Sequence, residues 1–279
     1  MELNSANSVK GILEKFDAKP KKNLGQNFLI DKNILQKIIN SSDIKPDDII
    51  LEVGPGVGTL TQELTKIAKR VIAVEKDNTM CKILKESLKN YKNIETINAD
   101  ILKFQIKEKK YKVIANIPYY LTSPLIRKFL ENANPPQEII LMVQKEVAQR
   151  ICAKIPDMNL LAVSVQFYAK PKILFNVSKN SFWPVPKIDS AVIKITPHKN
   201  SDNISPDLFF KIVKAGFSHP RKQIAGNLSK SLKMNKKEIT EWLIKNNLSP
   251  TQRAETLTIQ DWRNLARDIL SNATIDKNV

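Results

Sequence analysis

Short apolar runs alternate with amphipathic stretches along the chain up to about residue 200. Five of these runs have the length of a strand: residues 49–53, 71–75, 94–98, 113–116 and 139–143. Segments with helical spacing, such as residues 60–68 and 80–88, lie between them. Strands that alternate with helices predict an α/β fold with a mainly parallel sheet. Two later runs, residues 162–168 and 190–196, are predicted to add strands at one edge.

The pattern changes after Thr196. Residues 197–206 are polar and are predicted to form a linker. Helical spacing follows in four segments: residues 208–217, a stretch after Arg221, residues 236–245 and residues 260–270. We therefore predict a flexible N-terminal lead-in (residues 1–20), a large α/β domain (residues 21–198) and a small all-helical domain (residues 199–279).

The chain is strongly basic. Its 279 residues carry a formal net charge of +17. Such an excess favours a polyanionic partner such as nucleic acid. However, nearly all of the basic residues are lysines, so a compositional preference for Lys could also produce the charge.

Few residues of the kind that bind metals or form disulfides are present. The two cysteines, Cys81 and Cys152, are far apart in sequence, and there are only two histidines. We therefore expect a reduced protein with no zinc site. No apolar run is long enough to cross a bilayer, and no apolar segment of a secretory signal follows the first charges. A cytoplasmic location is expected.

A glycine-rich segment, EVGPGVG at residues 52–58, follows the first predicted strand and precedes a predicted helix. Glycines there let the backbone approach a ligand at the carboxyl end of the sheet. A dinucleotide site would have glycine at the sixth position of the motif, where this chain has Thr59. The spacing instead favours S-adenosyl-L-methionine, which has no pyrophosphate to bind.

Acidic residues end the next two predicted strands. Glu75 can accept hydrogen bonds from both hydroxyls of a ribose. Asp100 could accept one from an adenine amine, although a capping role at a helix N-terminus explains it equally well.

The tetrapeptide Asn116-Ile117-Pro118-Tyr119 follows the fourth predicted strand. Adenine N6 is a poor nucleophile, so its methylation requires the amine to be held in a fixed orientation. The Asn116 side-chain oxygen and the Ile117 carbonyl can accept its two N–H groups. Pro118 stiffens the loop, and Tyr119 offers a face for stacking of an extruded base. A simple Asn-x-Pro turn is the alternative interpretation.

With these motifs in order, the chain resembles the ribosomal RNA adenine N6-dimethyltransferases, specifically the small-subunit (KsgA/RsmA) type. The resemblance extends from about residue 21 to residue 270. Its matching segments are residues 21–29 (KKNLGQNFL), 52–61, 74–75, 116–119, 142–150 (MVQKEVAQR), 182–190 (FWPVPKIDS) and 253–257 (RAETL).

The resemblance implies a Rossmann-like class I S-adenosylmethionine methyltransferase with a mostly parallel seven-stranded sheet and a small helical C-terminal domain. It implies cofactor contacts at these six residues: Asn27, Leu29, Gly54, Glu75, Asp100 and Asn116. It also implies that Tyr119 and Phe182 sandwich the flipped adenine. The implied substrate is a pair of adjacent adenosines in a hairpin loop near the 3′ end of 16S (small-subunit) rRNA. A role in assembly of that subunit is implied as well.

The sequence departs from the family pattern in three places. Asn27 stands where the family usually has His, and residues 155–165 lack the usual small, Gly-containing pattern. Pro220 precedes Arg221-Lys222 where a further basic residue is common. We nevertheless expect the C-terminal helices and residues 19–22 to share the RNA contact. A monomer is expected.

Three other functions are considered. An Erm-type enzyme, which methylates large-subunit rRNA, would share the fold and chemistry, but residues 142–150, 189–191 and 253–255 resemble the small-subunit type. A non-catalytic ribosome-assembly factor could lack the Asn116 or Tyr119 chemistry, whereas both residues are present. A nicotinamide oxidoreductase is disfavoured by Thr59.

Overall fold

The computed structural model describes residues 3–198 and 204–271. The chain divides into two compact units. One comprises Met1–Ala148 and Lys170–Pro197, and the other Gln149–Ala169 and His198–Val279, each as far as it is described. The second unit thus includes residues 149–169, which were predicted to belong to the α/β domain.

The first unit is built on a seven-stranded sheet with the order β4-β3-β2-β5-β6-β9-β7. A separate two-stranded sheet joins β1 to β8. The strands are β1 (Phe28–Leu29), β2 (Ile49–Val53), β3 (Arg70–Glu75), β4 (Ile94–Asn98), β5 (Lys112–Asn116), β6 (Glu138–Gln144), β7 (Ala169–Val177), β8 (Phe182–Trp183) and β9 (Ser190–Pro197). The central pairings from β4 to β6 are parallel, and β9 runs antiparallel to β6. The predicted mostly parallel α/β sheet is confirmed.

Helices connect the parallel strands and cover the sheet. They are α1 (Ala6–Lys15), α2 (Lys32–Ser41), α3 (Thr59–Thr65), α4 (Asn78–Ser87), α5 (Thr122–Leu130) and α6 (Lys145–Ile151). Asp31 and Asp77 cap α2 and α4 through side-chain oxygens that accept backbone N–H groups of the first turn. Apolar faces of α2 and α3 pack on the sheet against Ile50, Ile114 and Ile140. Because the strands under these helices are parallel, their carboxyl ends lie at one edge of the sheet.

The N-terminal segment, predicted to be a flexible lead-in, contains the helix α1. Ser5 and Ser8 form a reciprocal capping box at the start of α1. Val9, Ile12 and Leu13 are buried in a cluster with side chains of the α/β unit, including Phe28, Val57 and Met80. The apolar residues of this segment therefore form the packed face of an amphipathic helix.

The prediction of a strand at residues 162–168 is wrong. This segment is the helix α7 (Leu160–Tyr168), capped by the Asn159 side chain, which accepts from the N–H of Ala162. The edge strand follows it as β7. A short, continuously apolar run has no periodicity that separates a strand from a buried helix, and here the capping Asn decides for the helix. The predicted strand at residues 190–196 corresponds to β9 and is confirmed.

The second unit is helical. Besides α7 it contains α8 (Pro206–Gly216), α9 (Ile224–Leu232), α10 (Lys236–Lys245) and α11 (Ile259–Ser271). Trp262 is fully buried at its centre, packed close to Gly216, and Phe167 stacks on Phe209 at 4.1 Å between ring centroids. Of the predicted linker, residues 199–203 lie outside the described residues. In the described part of the chain, no helix combines the length and apolar character needed to span a membrane.

Candidate active site and cofactor cavity

A cavity opens at the carboxyl edge of the parallel strands in the α/β unit. All the residues predicted to form the site line it: Asn27, Leu29, Gly54, Glu75, Asp100, Asn116, Pro118, Tyr119 and Phe182. They come from six separate parts of the sequence. The structure therefore brings the predicted residues together, at the edge where open α/β sheets bind their ligands.

The glycine-rich loop between β2 and α3 has a backbone that only glycine adopts readily. Gly56 and Gly58 have positive φ angles of 59° and 98°. A Cβ atom on Gly56 would lie 2.9 Å from the Phe28 ring, and one on Gly58 would lie 2.7 Å from Leu84. At these positions the loop has no side chains, so a ligand in the cavity can approach its backbone closely.

Glu75, the last residue of β3, holds this loop in place. Its Oε2 accepts the N–H of Gly56 at 3.1 Å, and its Oε1 accepts the N–H of Asp77 at 2.8 Å. Burial raises the pKa of Glu75, and the two backbone donors oppose that shift. Each carboxylate oxygen keeps a second lone pair, so the group can still accept hydrogen bonds from a ligand's hydroxyls.

Asp100 follows β4 and serves both a turn and a charge pair. Its Oδ1 accepts the N–H of Leu102 at 3.0 Å, and its Oδ2 pairs with Lys76 Nζ at 3.0 Å. The pair with Lys76 lowers the pKa of Asp100. No helix begins between β4 and β5 in the described chain, so Asp100 caps a turn and not a helix N-terminus. A role toward an adenine amine stays a prediction.

Asn116 and the residues that follow it form the wall at the end of β5. The Asn116 Nδ2 donates to the Asn27 carbonyl at 3.3 Å, which leaves the side-chain oxygen as an acceptor. Tyr119 begins a 3-10 turn, and its hydroxyl lies 2.8 Å from Ser190 Oγ. Burial raises the pKa of the Tyr119 hydroxyl.

The small sheet of β1 and β8 closes another side of the cavity. Leu29 pairs with Phe182, and Phe28 with Trp183. Phe182 is only 1% exposed and packs in the core with Leu29 and Met142. Its ring thus lines the cavity from within the core, and its predicted stacking on adenine remains a prediction.

An ion pair and a hydrogen bond to Asp77 hold the segment before β1 beside the cavity. Lys21 Nζ pairs with Asp77 at 2.8 Å, and Gln26 Nε2 donates to the same carboxylate at 3.2 Å. Burial alone would raise the pKa of Asp77, but these contacts and the N–H of Thr79 lower it below its usual value. The backbone N–H of Asp77 also donates to Glu75, which holds the glycine-rich loop. Asp77 therefore links the segment before β1 to that loop.

Tyr120 and Glu52 are among the cavity residues for which the sequence predicted no individual role. Tyr120 lines the cavity with 54% of its surface exposed, and Glu52 lines it with 1% exposed. Glu52 belongs to the glycine-rich motif, but the sequence alone does not show that its carboxyl group is buried. Its Oε2 has no hydrogen-bond partner among the described residues. The structure, where it is described, holds no group of three or more His, Cys, Asp or Glu residues suited to a metal ion.

Comparison with known proteins finds relatives that match nearly the whole chain. Ribosomal RNA small subunit methyltransferase A of Clostridioides difficile (strain 630) is 41% identical over 283 residues, covering 97% of this chain and 96% of that protein. The protein of the same name from Alkaliphilus oremlandii (strain OhILAs) is 42% identical over 282 residues, covering 96% and 98%.

Solved structures share the fold. A dimethyladenosine transferase from Plasmodium falciparum superposes with a TM-score of 0.75 at 29% identity, covering 87% of this chain and 97% of that one. The 23S rRNA methyltransferase ErmE gives a TM-score of 0.72 at 25% identity, covering 86% and 98%. These structures agree with the predicted class I methyltransferase fold. The model of the family described as ribosomal RNA adenine dimethylase matches residues 17–269. The chain therefore belongs to the ribosomal RNA adenine dimethylase family.

Proposed function

We propose that the protein uses S-adenosyl-L-methionine to dimethylate N6 of two adjacent adenosines in a hairpin loop near the 3′ end of 16S (small-subunit) rRNA. The observation that carries the proposal is the meeting of Asn116-Ile117-Pro118-Tyr119 with the glycine-rich loop at one cavity. Relatives about 41% identical over nearly the whole chain carry the name of a small-subunit methyltransferase, which favours that subunit over the large one.

The cavity suits an adenosyl cofactor. The loop at Gly56 has no room for a side chain, and the Glu75 carboxylate beside it has lone pairs for two ribose hydroxyls. Asn27, Leu29, Gly54, Asp100 and Asn116 complete the proposed contacts, listed here from the cavity lining. When bound, the cofactor supplies a methyl group on a sulfonium, which is already an electrophile, so the chain need not provide a nucleophile of its own.

The chain's proposed contribution to the chemistry is position. Asn116 accepts one N–H of the adenine amine through its side-chain oxygen, and the Ile117 carbonyl accepts the other. Held in this way, the amine directs its lone pair toward the methyl group, and fixed geometry of this kind supplies much of a rate enhancement. Tyr119 and Phe182 are proposed to hold the base from its two faces, and Pro118 restricts the loop that carries these groups.

The proposed partner is the small ribosomal subunit, which a monomer would bind in the cytoplasm, where ribosomes assemble. The net charge of +17 supports contact with phosphates. Lys22 is exposed beside the cavity segment, whereas Lys21 is paired with Asp77. The C-terminal helices are proposed to share the RNA contact. A role in subunit biogenesis follows if binding selects an incomplete particle.

Transfer of labelled methyl groups to small and large subunits that lack these modifications tests the proposal. Label on paired adenosines of the small subunit is expected. Label on the large subunit alone would instead identify an Erm-type activity. Tight binding to the small subunit without any transfer would identify a non-catalytic assembly factor.

A further inference from the structure

Tyr120 and Lys76 are the exposed residues of the cavity lining. Among the lining residues that the structure describes, no others are exposed, and Tyr120 has 54% of its surface open to solvent. The residues proposed to contact the cofactor are all buried or half-buried. The two exposed side chains therefore lie at the mouth of the cavity, where a target base must enter.

The side chains of Tyr119 and Tyr120 differ in their contacts. The Tyr119 hydroxyl lies 2.8 Å from Ser190 Oγ, and the residue is half-buried. The Tyr120 side chain has no hydrogen bond or aromatic contact with the described residues. A single exposed aromatic residue has little meaning by itself. Tyr120, however, directly follows the residue proposed to hold the flipped base, and its ring is available to a ligand.

The backbone of this segment directs the two rings to different places. Tyr119 to Leu121 form a 3-10 turn, in which consecutive side chains point about 120° apart. Tyr119 and Tyr120 therefore cannot hold the two faces of one base. A base held by Tyr119 leaves the ring of Tyr120 free for the next nucleotide of the same strand.

The charges beside Tyr120 suit a phosphate-bearing partner. Lys76 lies within electrostatic range of the Tyr120 hydroxyl and pairs with Asp100 at 3.0 Å. Lys103 is exposed on the turn after β4, where its backbone N–H donates to the Asp100 carbonyl at 3.0 Å. The two lysines exceed the charge of the single aspartate. An aromatic face beside positive groups is the arrangement that binds unpaired nucleotides, through base stacking and contacts to phosphate.

We propose that Tyr120 stacks on the nucleotide next to the adenosine being methylated, with Lys76 and Lys103 facing its phosphates. The inference rests on the proposed methylation of two adjacent adenosines. Because Tyr119 and Phe182 hold one base at a time, the other adenosine of the pair lies at the mouth of the cavity, against Tyr120. A purine offers a larger stacking face than a pyrimidine, and stacking strength is a source of sequence preference. Tyr120 is thus a specificity-determining residue that favours a target with an adenosine beside it.

Methyl transfer to small subunits that lack the modification tests this inference through a series of variants. Tyr120→Phe and Tyr120→Trp keep an aromatic face, so kcat/KM is expected to stay within about threefold of the unmodified protein. Tyr120→Leu and Tyr120→Ala should lower it roughly five- to hundredfold, as for the loss of one stacked base. Ile67→Ala is the control and should change nothing, because Ile67 is 37% exposed just before β3, at the opposite end of that strand from the cavity. Full activity in Tyr120→Leu would overturn the stacking role.

Binding of S-adenosylhomocysteine in the absence of RNA distinguishes a nucleotide partner from the cofactor. All four Tyr120 variants are expected to bind this ligand with the affinity of the unmodified protein, because the proposed partner of the ring is the RNA. A loss of affinity in Tyr120→Ala as large as its loss of kcat/KM would place the ring over the cofactor and overturn the inference.

Small subunits in which one adenosine of the pair is replaced by uridine test which base the ring contacts. The unmodified protein is expected to have a higher kcat/KM for an adenosine beside another adenosine than for the same adenosine beside uridine. In Tyr120→Ala this preference should shrink for at least one of the two replacements, since removal of the ring and of its partner base should not be additive. A preference that is absent from the unmodified protein, or unchanged in Tyr120→Ala for both replacements, would overturn the assignment.

The outcomes separate the inference from the proposed function. If the unmodified protein methylates the small subunit and Tyr120→Ala does so equally well, the role of Tyr120 is wrong while the methyltransferase proposal stands. If the unmodified protein transfers no methyl group to the small subunit, the proposed function is wrong and the inference fails with it.

Discussion

The Glu75 carboxylate accepts the backbone N–H of Gly56 at 3.1 Å between nitrogen and oxygen. This bond joins the end of β3 to the glycine-rich loop that follows β2. The group proposed to bind the ribose therefore also fixes the loop that the cofactor must approach. A change in the loop's backbone is expected to disturb both stability and cofactor binding.

Gly56→Ala tests this coupling. The substitution puts a Cβ atom at a φ of 59° and 2.9 Å from the Phe28 ring, so we expect it to lower the free energy of unfolding by about 1–3 kcal/mol. It is also expected to weaken S-adenosylhomocysteine binding. Gly11→Ala in α1 is the control, because a Cβ there meets nothing within 4 Å. That change should stabilise the protein by roughly 0.5–1 kcal/mol. Unchanged stability in Gly56→Ala would contradict the assigned loop geometry.

The stability of the cofactor-free protein is expected to depend on Glu52. This carboxyl has a pKa of about 8 in the folded protein against an ordinary value of 4.5. Between these values the folded state holds a proton that the unfolded state has lost, so the free energy of unfolding falls as pH rises. Glu75, whose pKa burial also raises, acts in the same direction.

Glu52→Gln should therefore flatten this decline and raise the free energy of unfolding near pH 8 by on the order of a few kcal/mol. Urea unfolding at a series of pH values between about 5 and 8 measures it. A decline of the same steepness in Glu52→Gln and in the unmodified protein would show that Glu52 is already ionised when the site is empty.

Tyr119 is expected to act through its ring more than through its hydroxyl. Tyr119→Phe loses the 2.8 Å contact with Ser190 but keeps the stacking face, so kcat/KM should change by no more than severalfold. Tyr119→Ala should lower kcat/KM about ten- to hundredfold, since stacking contributes ~1–3 kcal/mol per base. Methyl transfer to small subunits measures both, with S-adenosylhomocysteine affinity as the control for the cofactor site. Equal losses in the two variants would assign the effect to the hydroxyl.

The fold was largely predictable because the apolar runs of β2, β3, β5 and β6 have the length of strands and are separated by segments with helical spacing. The failure at α7 has a physical cause: its run is apolar throughout, so neither period is visible, and only tertiary packing and the Asn159 cap specify a helix. Likewise, the buried face of α1 is defined by partners such as Met80, which are distant in sequence.

The site was predictable where a residue's role depends on its place at a strand end, as for Glu75 and Asn116. It was not predictable for Glu52, since the sequence contains the acidic residue but not its burial or its lack of a partner. Phe182 was predictable only in part. The resemblance to the family placed this residue at the cavity, but it did not indicate that the ring is almost wholly buried.

Lys22 is predicted to contact an RNA phosphate. Its side chain is exposed near the cavity, whereas the neighbouring Lys21 already pairs with Asp77. Lys22→Glu should weaken small-subunit binding roughly severalfold and reduce the salt dependence of log affinity by ~0.7–0.9. Lys69→Glu is the matched control, since Lys69 is exposed just before β3, at the opposite end of that strand from Glu75. Binding curves at several salt concentrations measure the effect, and identical behaviour of the two variants would remove Lys22 from the interface.

The orientation of the adenine amine by Asn116 is the central claim, and counting methyl groups on each adenosine tests it most directly. Unmodified small subunits are treated with the unmodified protein, Asn116→Ala or the exposed control Asn90→Ala, and rRNA fragments are analysed by mass spectrometry. We predict N6,N6-dimethyladenosine at two adjacent positions with the unmodified and control proteins. Asn116→Ala should bind the subunit normally but transfer methyl groups at a rate lower by ~100-fold or more. Full dimethylation by Asn116→Ala, or methyl groups on another atom, would contradict the account.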